Sequence, residues 1–341
     1  MSVTSLVPIP LFVLTGFLGS GKTTLINAIL RMPTFADSAV IVNEFGDIGL
    51  DHHLIAESVD NVVLMDSGCL CCALNGSLEE TLADLYRRRV TGLVKPFHRV
   101  IIETSGLADP APILNVLLGN KLVTDNFQFE ALVCTVDATH FAWQCERFGE
   151  WPRQVAMADC LVFTKLDIAD ADARDGARLR SSNLNPGALQ FDGGAGRVPV
   201  EAFEVRGSAR CASLRFAPLA RHLAGIKAHG FFLSTPVTWA GIAAWTRLIC
   251  DSFGDRLIRT KALLQVQDEP GAVFLQGVGP VFHRPERLAQ WPDADPRGRI
   301  VCIGQDLSPE TLVVTLPVLA IEAGIEAHVT LADLATIAWR S

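Results

Sequence analysis

A glycine-rich stretch near the start of the chain, "GFLGSGKTT" at residues 16–24, has the spacing of a phosphate-binding loop. It matches the pattern G-x4-G-K-[ST]. Glycines let successive backbone N–H groups point inward around an anion, and the positive end of a following helix adds to the attraction. Lys22 would neutralise the β- and γ-phosphates, and Thr23 would offer its hydroxyl to Mg²⁺. We therefore predict a nucleotide-phosphate site built from Gly16, Gly19, Ser20, Gly21, Lys22, Thr23 and Thr24.

An acidic residue, Glu103, follows the apolar stretch of "RVIIETSG" at residues 99–106. By itself an apolar strand that ends in glutamate is more often a solvated strand end. Downstream of a phosphate loop, however, it predicts the acid that holds Mg²⁺ through a water molecule or orients the attacking water. The N–H of Gly106 could contact the γ-phosphate and so sense hydrolysis. We assign the catalytic roles to Lys22 and Glu103.

A candidate base-recognition motif, "FTKLD", occupies residues 163–167. The Asp167 carboxylate can accept from N1–H and the exocyclic amine of guanine, whereas adenine presents an acceptor at N1 and repels it. The stem of Lys165 can cover the face of the base. GTPases usually carry Asn at the first position, where this chain has Thr164, and a threonine does not reproduce the geometry of an amide. The retained aspartate predicts GTP rather than ATP.

Three cysteines lie within four residues, at Cys69, Cys71 and Cys72 in "SGCLCC". Side chains two residues apart on extended chain point the same way, so Cys69 and Cys71 can converge and Cys72 can close in at a turn. Three thiolates suit Zn²⁺ or Cu(I), and a set of three ligands leaves one position open. We favour a metal site over the two alternatives, a redox pair of Cys69 with Cys72 and a set of packing thiols.

Other potential metal ligands are individually weaker candidates. A fourth ligand could come from His52, His53, Glu44, Asp47 or Asp51. The two histidines are nevertheless expected to be exposed loop residues, and His140 is expected to make a local structural contact. The scattered cysteines are predicted to be small buried hydrophobes; they are Cys134, Cys145, Cys160, Cys211, Cys250 and Cys302.

The elements that must position these residues alternate between apolar strands and amphipathic helices. Runs without alternation, typical of strands buried on both faces, occur in "IPLFVLTG", "AVIVNEFG", "NVVLM", "RVIIETSG", "FEALVCTVDA" and "DCLVFTKLD". Ser77 and Glu80 form a capping box before one intervening helix. The pattern predicts an α/β P-loop NTPase fold with a parallel sheet and helices on both faces. In such sheets ligands bind at the carboxyl ends of the strands, where the polar residues fall here.

The second half of the chain has a different hydrophobic pattern. Alternating apolar strands in "FFLSTPVTW", "ALLQVQ", "AVFLQGVG" and "RIVCIGQ" predict an antiparallel sheet with one solvated face. The stretches "WAGIAAWTRLICDSFG" and "SPETLVVTLPVLAI" supply helices against it. We predict a nucleotide-binding domain at residues 1–215, a linker at 216–230 and a smaller α+β domain at 231–341.

Composition argues against several classes of function. Hydrophobic residues make up 49% of the 341 residues and charged residues 19%, which supports a large folded core. The net charge of −8 argues against a nucleic-acid partner. No apolar run approaches the roughly 18 residues of a membrane span, and the N-terminal run is too short for a signal peptide. We expect a cytoplasmic protein with neither nucleic acid nor membrane as partner, in which the nine cysteines are thiols.

With these motifs in hand, the chain resembles the CobW family of metal-chaperone GTPases, within the SIMIBI class of P-loop proteins. The resemblance rests on "TGFLGSGKTTLIN", "VNEFGDIGLD", "SGCLCC", "ETSGLADP", "VDATHF" and "TKLD", and more loosely on "LIRTKALLQV", "FLQGVGPVFH" and "RIVCIGQDL". It implies a GTPase that carries a transition metal, most often zinc, to a client metalloprotein under the control of GTP. It also implies that Cys69, Cys71 and Cys72 hold the metal, and it makes Glu44 a candidate ligand to the metal or to Mg²⁺. A nucleotide-dependent homodimer is compatible with it.

Departures from the family pattern and rival functions remain open at this point. Thr164 in place of Asn would weaken guanine selectivity. Only His222 and His229 stand near the domain junction, where many members carry a histidine-rich tract, and Pro280 stands where members often have His. The rivals are a cobalt insertion GTPase for cobalamin synthesis or nitrile hydratase, a GTPase with a purely structural zinc, and an ATP-dependent small-molecule kinase.

Overall fold

The computed structural model describes residues 8–43, 62–64, 77–194, 197–205, 225–233 and 235–321. The chain divides into two compact units, Met1–Arg178 with Leu189–Arg206 and Leu179–Ala188 with Gly207–Ser341. Each unit has its own sheet.

The first unit is organised by a seven-stranded sheet in which every pair of neighbouring strands is parallel. Its strands lie in the order β3-β2-β4-β1-β5-β6-β7. They are β1 (Ile9–Gly16), β2 (Ser38–Asn43), β3 (Val62–Leu64), β4 (Arg99–Thr104), β5 (Phe127–Asp137), β6 (Cys160–Thr164) and β7 (Leu189–Asp192). The parallel sheet predicted from the apolar runs is confirmed.

The central strand β1 is covered on both faces. Its side chains alternate between the faces, yet Leu11, Phe12, Val13 and Leu14 are all fully buried. Phe12 and Leu14 pack in one core cluster that also contains Leu25, Ile26 and Ile29. This explains why β1 reads as a continuous apolar run rather than as an alternating one.

Seven α-helices lie in the described residues up to β7. They are α1 (Lys22–Leu30), α2 (Leu78–Val90), α3 (Ala111–Gly119), α4 (Lys121–Thr124), α5 (Phe141–Arg147), α6 (Glu150–Met157) and α7 (Ala171–Leu184). Short 3-10 helices occur at Pro33–Phe35 and Val200–Phe203. The predicted capping box begins α2: Ser77 Oγ accepts from Glu80 N at 3.3 Å, and Glu80 Oε2 accepts from Ser77 N at 2.9 Å.

The second unit contains a six-stranded antiparallel sheet with the path β11-β10-β9-β13-β8, and β12 pairs with β10. Its strands are β8 (Ile226–Leu233), β9 (Leu257–Gln265), β10 (Ala272–Val278), β11 (Val281–Phe282), β12 (Glu286–Arg287) and β13 (Gly298–Gln305). Its helices are α8 (Trp239–Phe253) and α9 (Pro309–Val313), with 3-10 turns at Gly254–Arg256 and Leu316–Ala320. The antiparallel sheet and the smaller α+β fold are confirmed. The prediction of a solvated sheet face is wrong for β9, β10 and β13, whose residues are buried on both faces apart from the last residue of β9 and of β13.

The core of the second unit forms between one face of this sheet and α8. Trp245 is fully buried there, and its indole N–H donates to Thr315 Oγ1 at 2.9 Å. No helix among the described residues is long and apolar enough to cross a bilayer. The described part of the predicted linker includes the start of β8, because residues from Ile226 onward pair with β13. The exact domain bounds stay a prediction.

Most of the scattered cysteines behave as small buried hydrophobes, as predicted. Cys134, Cys145, Cys160 and Cys302 are buried, and burial raises the pKa of the Cys134 thiol to about 12. Cys250 is half-buried and its thiol donates to the carbonyl of Pro280. Cys211 lies outside the described residues.

Candidate functional site

The strand order brings the predicted nucleotide-binding residues to one edge of the parallel sheet. In register, Leu14 of β1 pairs with Glu103 of β4, Gly16 pairs with Thr135 of β5, and Asp137 pairs with Thr164 of β6. Because all these strands are parallel, their carboxyl ends meet at the same edge. The phosphate loop, the acidic strand end and the base motif therefore lie side by side.

The start of the phosphate loop requires glycine for steric reasons. Gly16 has φ +138, and a Cβ on it would lie 2.1 Å from Thr135 Oγ1 and 2.6 Å from the carbonyl oxygen of Thr135. No larger side chain fits such a contact without moving the strand. The loop then turns into α1 with Gly21 as the N-cap residue, so the N-terminus of α1 faces the loop as the motif predicts.

Hydrogen bonds of Lys22 and Ser20 fix the conformation of the phosphate loop. Lys22 Nζ donates to the carbonyl of Gly16 at 2.9 Å and to that of Phe17 at 3.3 Å, so its ammonium group lies over the loop. The hydroxyls of Ser20 and Thr135 are 2.6 Å apart. Two further predicted residues lie at the surface of the loop. A Cβ on Gly19 would meet no atom within 4 Å, and Thr24 is exposed in the first turn of α1.

A hydrogen bond joins the phosphate loop to the acidic strand end. Thr23 Oγ1 donates to Glu103 Oε1 at 3.0 Å, although the two residues are 80 positions apart in the chain. Glu103 is only 6% exposed. A hydroxyl and a carboxylate at this spacing are the hard oxygen donors that Mg²⁺ prefers, so the residues present fit the ion.

Gly106 packs directly against the phosphate loop. It is buried, and a Cβ on it would lie 2.7 Å from the backbone nitrogen of Leu18. A side chain here would push the segment after β4 away from the loop. The close approach puts the Gly106 backbone next to the phosphate loop, where the γ-phosphate role predicted for it requires it to be.

The base motif is tied to the phosphate loop through Thr164. Its hydroxyl donates to the carbonyl of Ser20 at 2.8 Å and lies 3.3 Å from that of Val136. Asp167 is exposed, and a Cβ on Gly194 would lie 3.8 Å from its Oδ1. The carboxylate predicted to bind guanine is thus open to a ligand, beside the turn that follows β7.

Asp137, to which the motif patterns assign no role, anchors the base motif. Its Oδ2 accepts from Lys165 Nζ at 2.7 Å, and its Oδ1 accepts from the backbone and hydroxyl of Thr139 at 2.8 and 2.5 Å. His140 Nδ1 lies 3.1 Å from Oδ2, which confirms the local structural contact predicted for that histidine. Asp137 could have been found by the reasoning that found Glu103, since both end an apolar strand at the ligand edge.

The electrostatics of Asp137 favour its ionised form. Burial by itself would raise the pKa of this carboxyl, but the hydrogen bonds from Lys165, Thr139 and His140 outweigh burial and hold the pKa below its ordinary value. Lys165 itself has φ 56, the left-handed region, so its backbone conformation is strained. Lys165 thus combines an uncommon backbone conformation with a side chain held by Asp137, next to the base site.

The predicted metal ligands other than Thr23 fall outside the described residues. These are Cys69, Cys71, Cys72 and Glu44, together with His52, His53, Asp47 and Asp51. Within the described ranges, no group of three or more His, Cys, Asp and Glu side chains is arranged to hold a metal ion. The cysteine site stays a prediction.

Comparison with known families assigns both halves of the chain. Residues 10–191 match the family model described as CobW/HypB/UreG, nucleotide-binding domain. Residues 226–317 match the model described as the cobalamin synthesis protein cobW C-terminal domain. The first match covers more than half of the chain.

Similar proteins match between about half and nearly all of the chain. The zinc chaperone YjiA of Escherichia coli (strain K12) is 29% identical over 311 residues, which cover 89% of this chain and 96% of that protein. The zinc chaperone CobW of Pseudomonas aeruginosa is 28% identical over 228 residues, covering 58% of this chain and 59% of its own. A crystal structure of Zn(II)-bound YjiA GTPase from E. coli matches with a TM-score of 0.67 and 26% identity, covering 92% of this chain and 99% of that one.

These matches agree with the geometry of the ligand edge, where a phosphate loop, an acidic strand end and a guanine-type motif converge. The family resemblance inferred from the motifs is confirmed. The chain belongs to the CobW/HypB/UreG family of nucleotide-binding proteins and carries a CobW-type C-terminal domain.

Proposed function

We propose that this P-loop GTPase is a metallochaperone that hydrolyses GTP, binds zinc as its cargo and transfers the zinc to a client apoprotein. The observation that carries the nucleotide half of the proposal is the 3.0 Å hydrogen bond from Thr23 Oγ1 to Glu103 Oε1. It joins the phosphate loop to the acidic strand end, and a Mg²⁺-dependent phosphoryl site needs these two groups together.

Hydrolysis would use residues already gathered at the ligand edge. Lys22 would move from the loop carbonyls to the β- and γ-phosphates, a short displacement because its ammonium group lies over the loop. Glu103 would orient the attacking water or a water on the ion, and the N–H of Gly106 would contact the γ-phosphate. Mg²⁺, when bound, neutralises charge that develops between the phosphates. Backbone N–H groups would come from Gly16, Gly19, Ser20, Gly21 and Thr24.

Guanine would be read by the base motif. Asp167 is exposed and free to accept two hydrogen bonds from guanine, which adenine cannot donate at N1. The stem of Lys165 would lie along the ring while its ammonium group stays on Asp137. The bond from Thr164 to Ser20 supports this assignment, because the threonine links base motif and phosphate loop without an amide.

Zinc would be held by Cys69, Cys71 and Cys72, with Glu44 as a candidate further ligand. Three thiolates are a soft ligand set suited to zinc, and a three-ligand site leaves an open position for hand-over. Two relatives that are named zinc chaperones support zinc as the cargo. Cobalt is the alternative, because thiolates alone do not exclude it.

The strand order supports coupling between nucleotide and cargo. Asn43, the last residue of β2, pairs with Thr104 next to Glu103, and Leu64, the last residue of β3, pairs with Val42. Both strands therefore end at the ligand edge, and Glu44 and the three cysteines follow them in the sequence. A nucleotide that rearranges one segment would change the metal affinity of the other, and such a difference in affinity is what coupling requires.

Native mass spectrometry and zinc competition test the proposal together. The purified protein, with GDP and with a GTP analogue, would be measured for bound metal, nucleotide and oligomeric state. We expect one zinc per chain, with an affinity that differs between the two nucleotide states and is lost in Cys71→Ser. Cys250→Ser is the matched control, since Cys250 is a half-buried cysteine of the second unit.

Each alternative predicts a different result. Equal zinc affinity in both nucleotide states would indicate a structural zinc and overturn the carrier role. Preferential loading of cobalt over zinc would favour a cobalt insertion GTPase. Zinc binding that survives Cys71→Ser would refute the cysteine site. Transfer of zinc from this variant to an apoprotein with a vacant thiolate or imidazole site would then show whether the protein carries zinc through other residues.

A further inference from the structure

A fully buried glutamine on α6 contacts the segment that carries Gly106. Gln154 is 0% exposed, and its Nε2 donates to the carbonyl of Gly106 at 3.0 Å and to that of Ala108 at 3.1 Å. Both acceptors belong to the connection between β4 and α3. A single side-chain amide thus holds two peptide carbonyls of the segment that follows the acidic strand end.

The two carbonyls determine how this amide is oriented. Rotating the amide by half a turn would put its oxygen against two carbonyl oxygens, so the NH₂ group must face them. The Gln154 Oε1 on the other side has no hydrogen-bond partner within the described part of the chain. Burying a polar atom in this way is costly, and the two donated hydrogen bonds help to offset that cost.

A second contact from the same helix reinforces the first. The Arg153 guanidinium pairs with Asp109, with Nε and Nη2 at 3.0 and 2.9 Å from Oδ2, and Asp109 Oδ1 accepts from the backbone of Ala111 at 2.9 Å. Trp151 of α6 is almost fully buried and anchors the helix in the core. We call these contacts of Gln154 and Arg153 the α6 clamp.

Gly106 is therefore enclosed from two sides. The phosphate loop lies against its Cα side, where a Cβ would meet Leu18, and the α6 clamp holds its carbonyl. We propose that Gln154 is a positioning residue for nucleotide-state recognition, which holds Gly106 so that its N–H points to the γ-phosphate. This rests on the proposed function, in which Gly106 contacts that phosphate. The clamp then determines how well the protein distinguishes GTP from GDP.

The affinities of two nucleotides test this role. Gln154→Met keeps the length and burial of the side chain but removes both donors. We expect the affinity for a GTP analogue to fall about tenfold, as loss of one to two hydrogen bonds would give, while the affinity for GDP changes less than about twofold. Gln154→Glu should lower the ratio of GTP-analogue affinity to GDP affinity further, because a carboxylate would face two carbonyl oxygens.

The control is Gln144→Met. Gln144 is 3% exposed on α5, and among the described residues it makes no hydrogen bond to the connection between β4 and α3.

A parallel variant separates failure of this inference from failure of the proposed function. Gly106→Ala should impair binding of the GTP analogue more than binding of GDP. If Gly106→Ala has this effect and Gln154→Met binds both nucleotides as the wild type does, the clamp is refuted and the role of Gly106 stands. If Gly106→Ala leaves both affinities unchanged, the assigned γ-phosphate contact is refuted and the clamp with it.

A further pair of variants decides the matter if Gln154→Met does not fold. Arg153 is half-exposed, so Arg153→Met should fold, and it should lower the ratio of GTP-analogue to GDP affinity, with partial rescue in Arg153→Lys. Amide hydrogen exchange provides the structural readout: in the wild type, residues 105–109 should exchange more slowly with the GTP analogue than with GDP. An unchanged affinity ratio in Arg153→Met together with an unchanged exchange difference would overturn the proposal.

Discussion

The hydroxyl of Thr164 donates a 2.8 Å hydrogen bond to the backbone carbonyl of Ser20, which joins the base motif to the phosphate loop. The same hydroxyl lies 3.3 Å from the carbonyl of Val136 at the end of β5. A threonine at this position therefore connects three segments of the site through one small group, although it lacks the amide that GTPases usually place there.

Replacing this hydroxyl should weaken binding of every guanine nucleotide. Thr164→Val keeps the shape of the side chain but leaves the Ser20 carbonyl without its donor. A lost hydrogen bond of this kind costs about 1 kcal/mol, so we expect GTP and GDP affinities to fall together by roughly fivefold. Calorimetric titration measures both. Thr246→Val on α8, where the hydroxyl donates to the carbonyl of Ala243 in its own helix, should leave both affinities as they are. A loss confined to one nucleotide would contradict the linking role.

Base selectivity should follow Asp167. Asp167→Asn replaces an acceptor with an amide, which suits xanthine better than guanine because xanthine carries a carbonyl where guanine carries its amine. We expect GTP affinity to fall by about a hundredfold or more and affinity for xanthosine triphosphate to rise, since buried or oriented polar groups discriminate strongly. Competition with a fluorescent nucleotide gives both values. Undiminished preference for GTP in this variant would show that guanine is read elsewhere.

The acid at the end of β4 should affect hydrolysis more than binding. Glu103→Gln keeps the size of the side chain and its contact with Thr23. It removes the negative charge that we propose acts on Mg²⁺ and on the attacking water. We expect the turnover number for GTP to fall by about a hundredfold, as for other preorganised charged groups. GDP affinity without Mg²⁺ should change less than about threefold. Single-turnover hydrolysis at several Mg²⁺ concentrations checks both. Wild-type turnover would exclude Glu103 as the acid.

The buried carboxylate of Asp137 should make stability depend on pH in the acid range. Its pKa in the folded protein lies below its ordinary value of 3.8, so the ionised group stabilises the fold above that value. The contribution is lost as pH falls through the lower folded pKa. The variant Asp137→Asn has no ionisable group at this position and therefore lacks this contribution to stability. The difference in unfolding free energy between wild type and variant should be largest near neutrality and should shrink below about pH 4.

Urea unfolding monitored by fluorescence measures this difference at each pH. The control is Asp125→Asn, the same change at an exposed carboxylate, which should lower the unfolding free energy at neutral pH by less than Asp137→Asn does. A difference that grows toward acid pH for Asp137→Asn would reverse the assigned sign and refute the ion pair with Lys165.

The sequence predicted those features that depend on residues close together along the chain. The phosphate loop, its preceding strand and its following helix lie within residues 9–30, so glycine spacing and apolar periodicity were enough to identify them. The capping box of Ser77 and Glu80 is local for the same reason. The family was likewise predicted from short motifs, because each motif is a local chemical requirement.

Side-chain roles that depend on distant contacts were harder to predict. Asp137 ends an apolar strand as Glu103 does, but nothing near it in the chain indicates that Lys165 will reach it. Likewise, nothing near Gln154 indicates that its amide will hold the carbonyl of Gly106. Conversely, Thr164 was expected to weaken guanine selectivity because it stands where GTPases usually carry Asn. Its hydrogen bond to Ser20, 144 positions away, is not visible in the sequence.

The amino-acid sequence by itself determined the kinds of element, the phosphate loop, the guanine-type motif and the three neighbouring cysteines. The tertiary structure decided which of these residues meet: the strand order β3-β2-β4-β1-β5-β6-β7 places Glu103 against Thr23 and Asp137 against Lys165. The physical reason is that hydrophobic periodicity specifies which face of a strand is buried but not which strand lies beside it. That choice is made by the packing of the whole sheet and its helices.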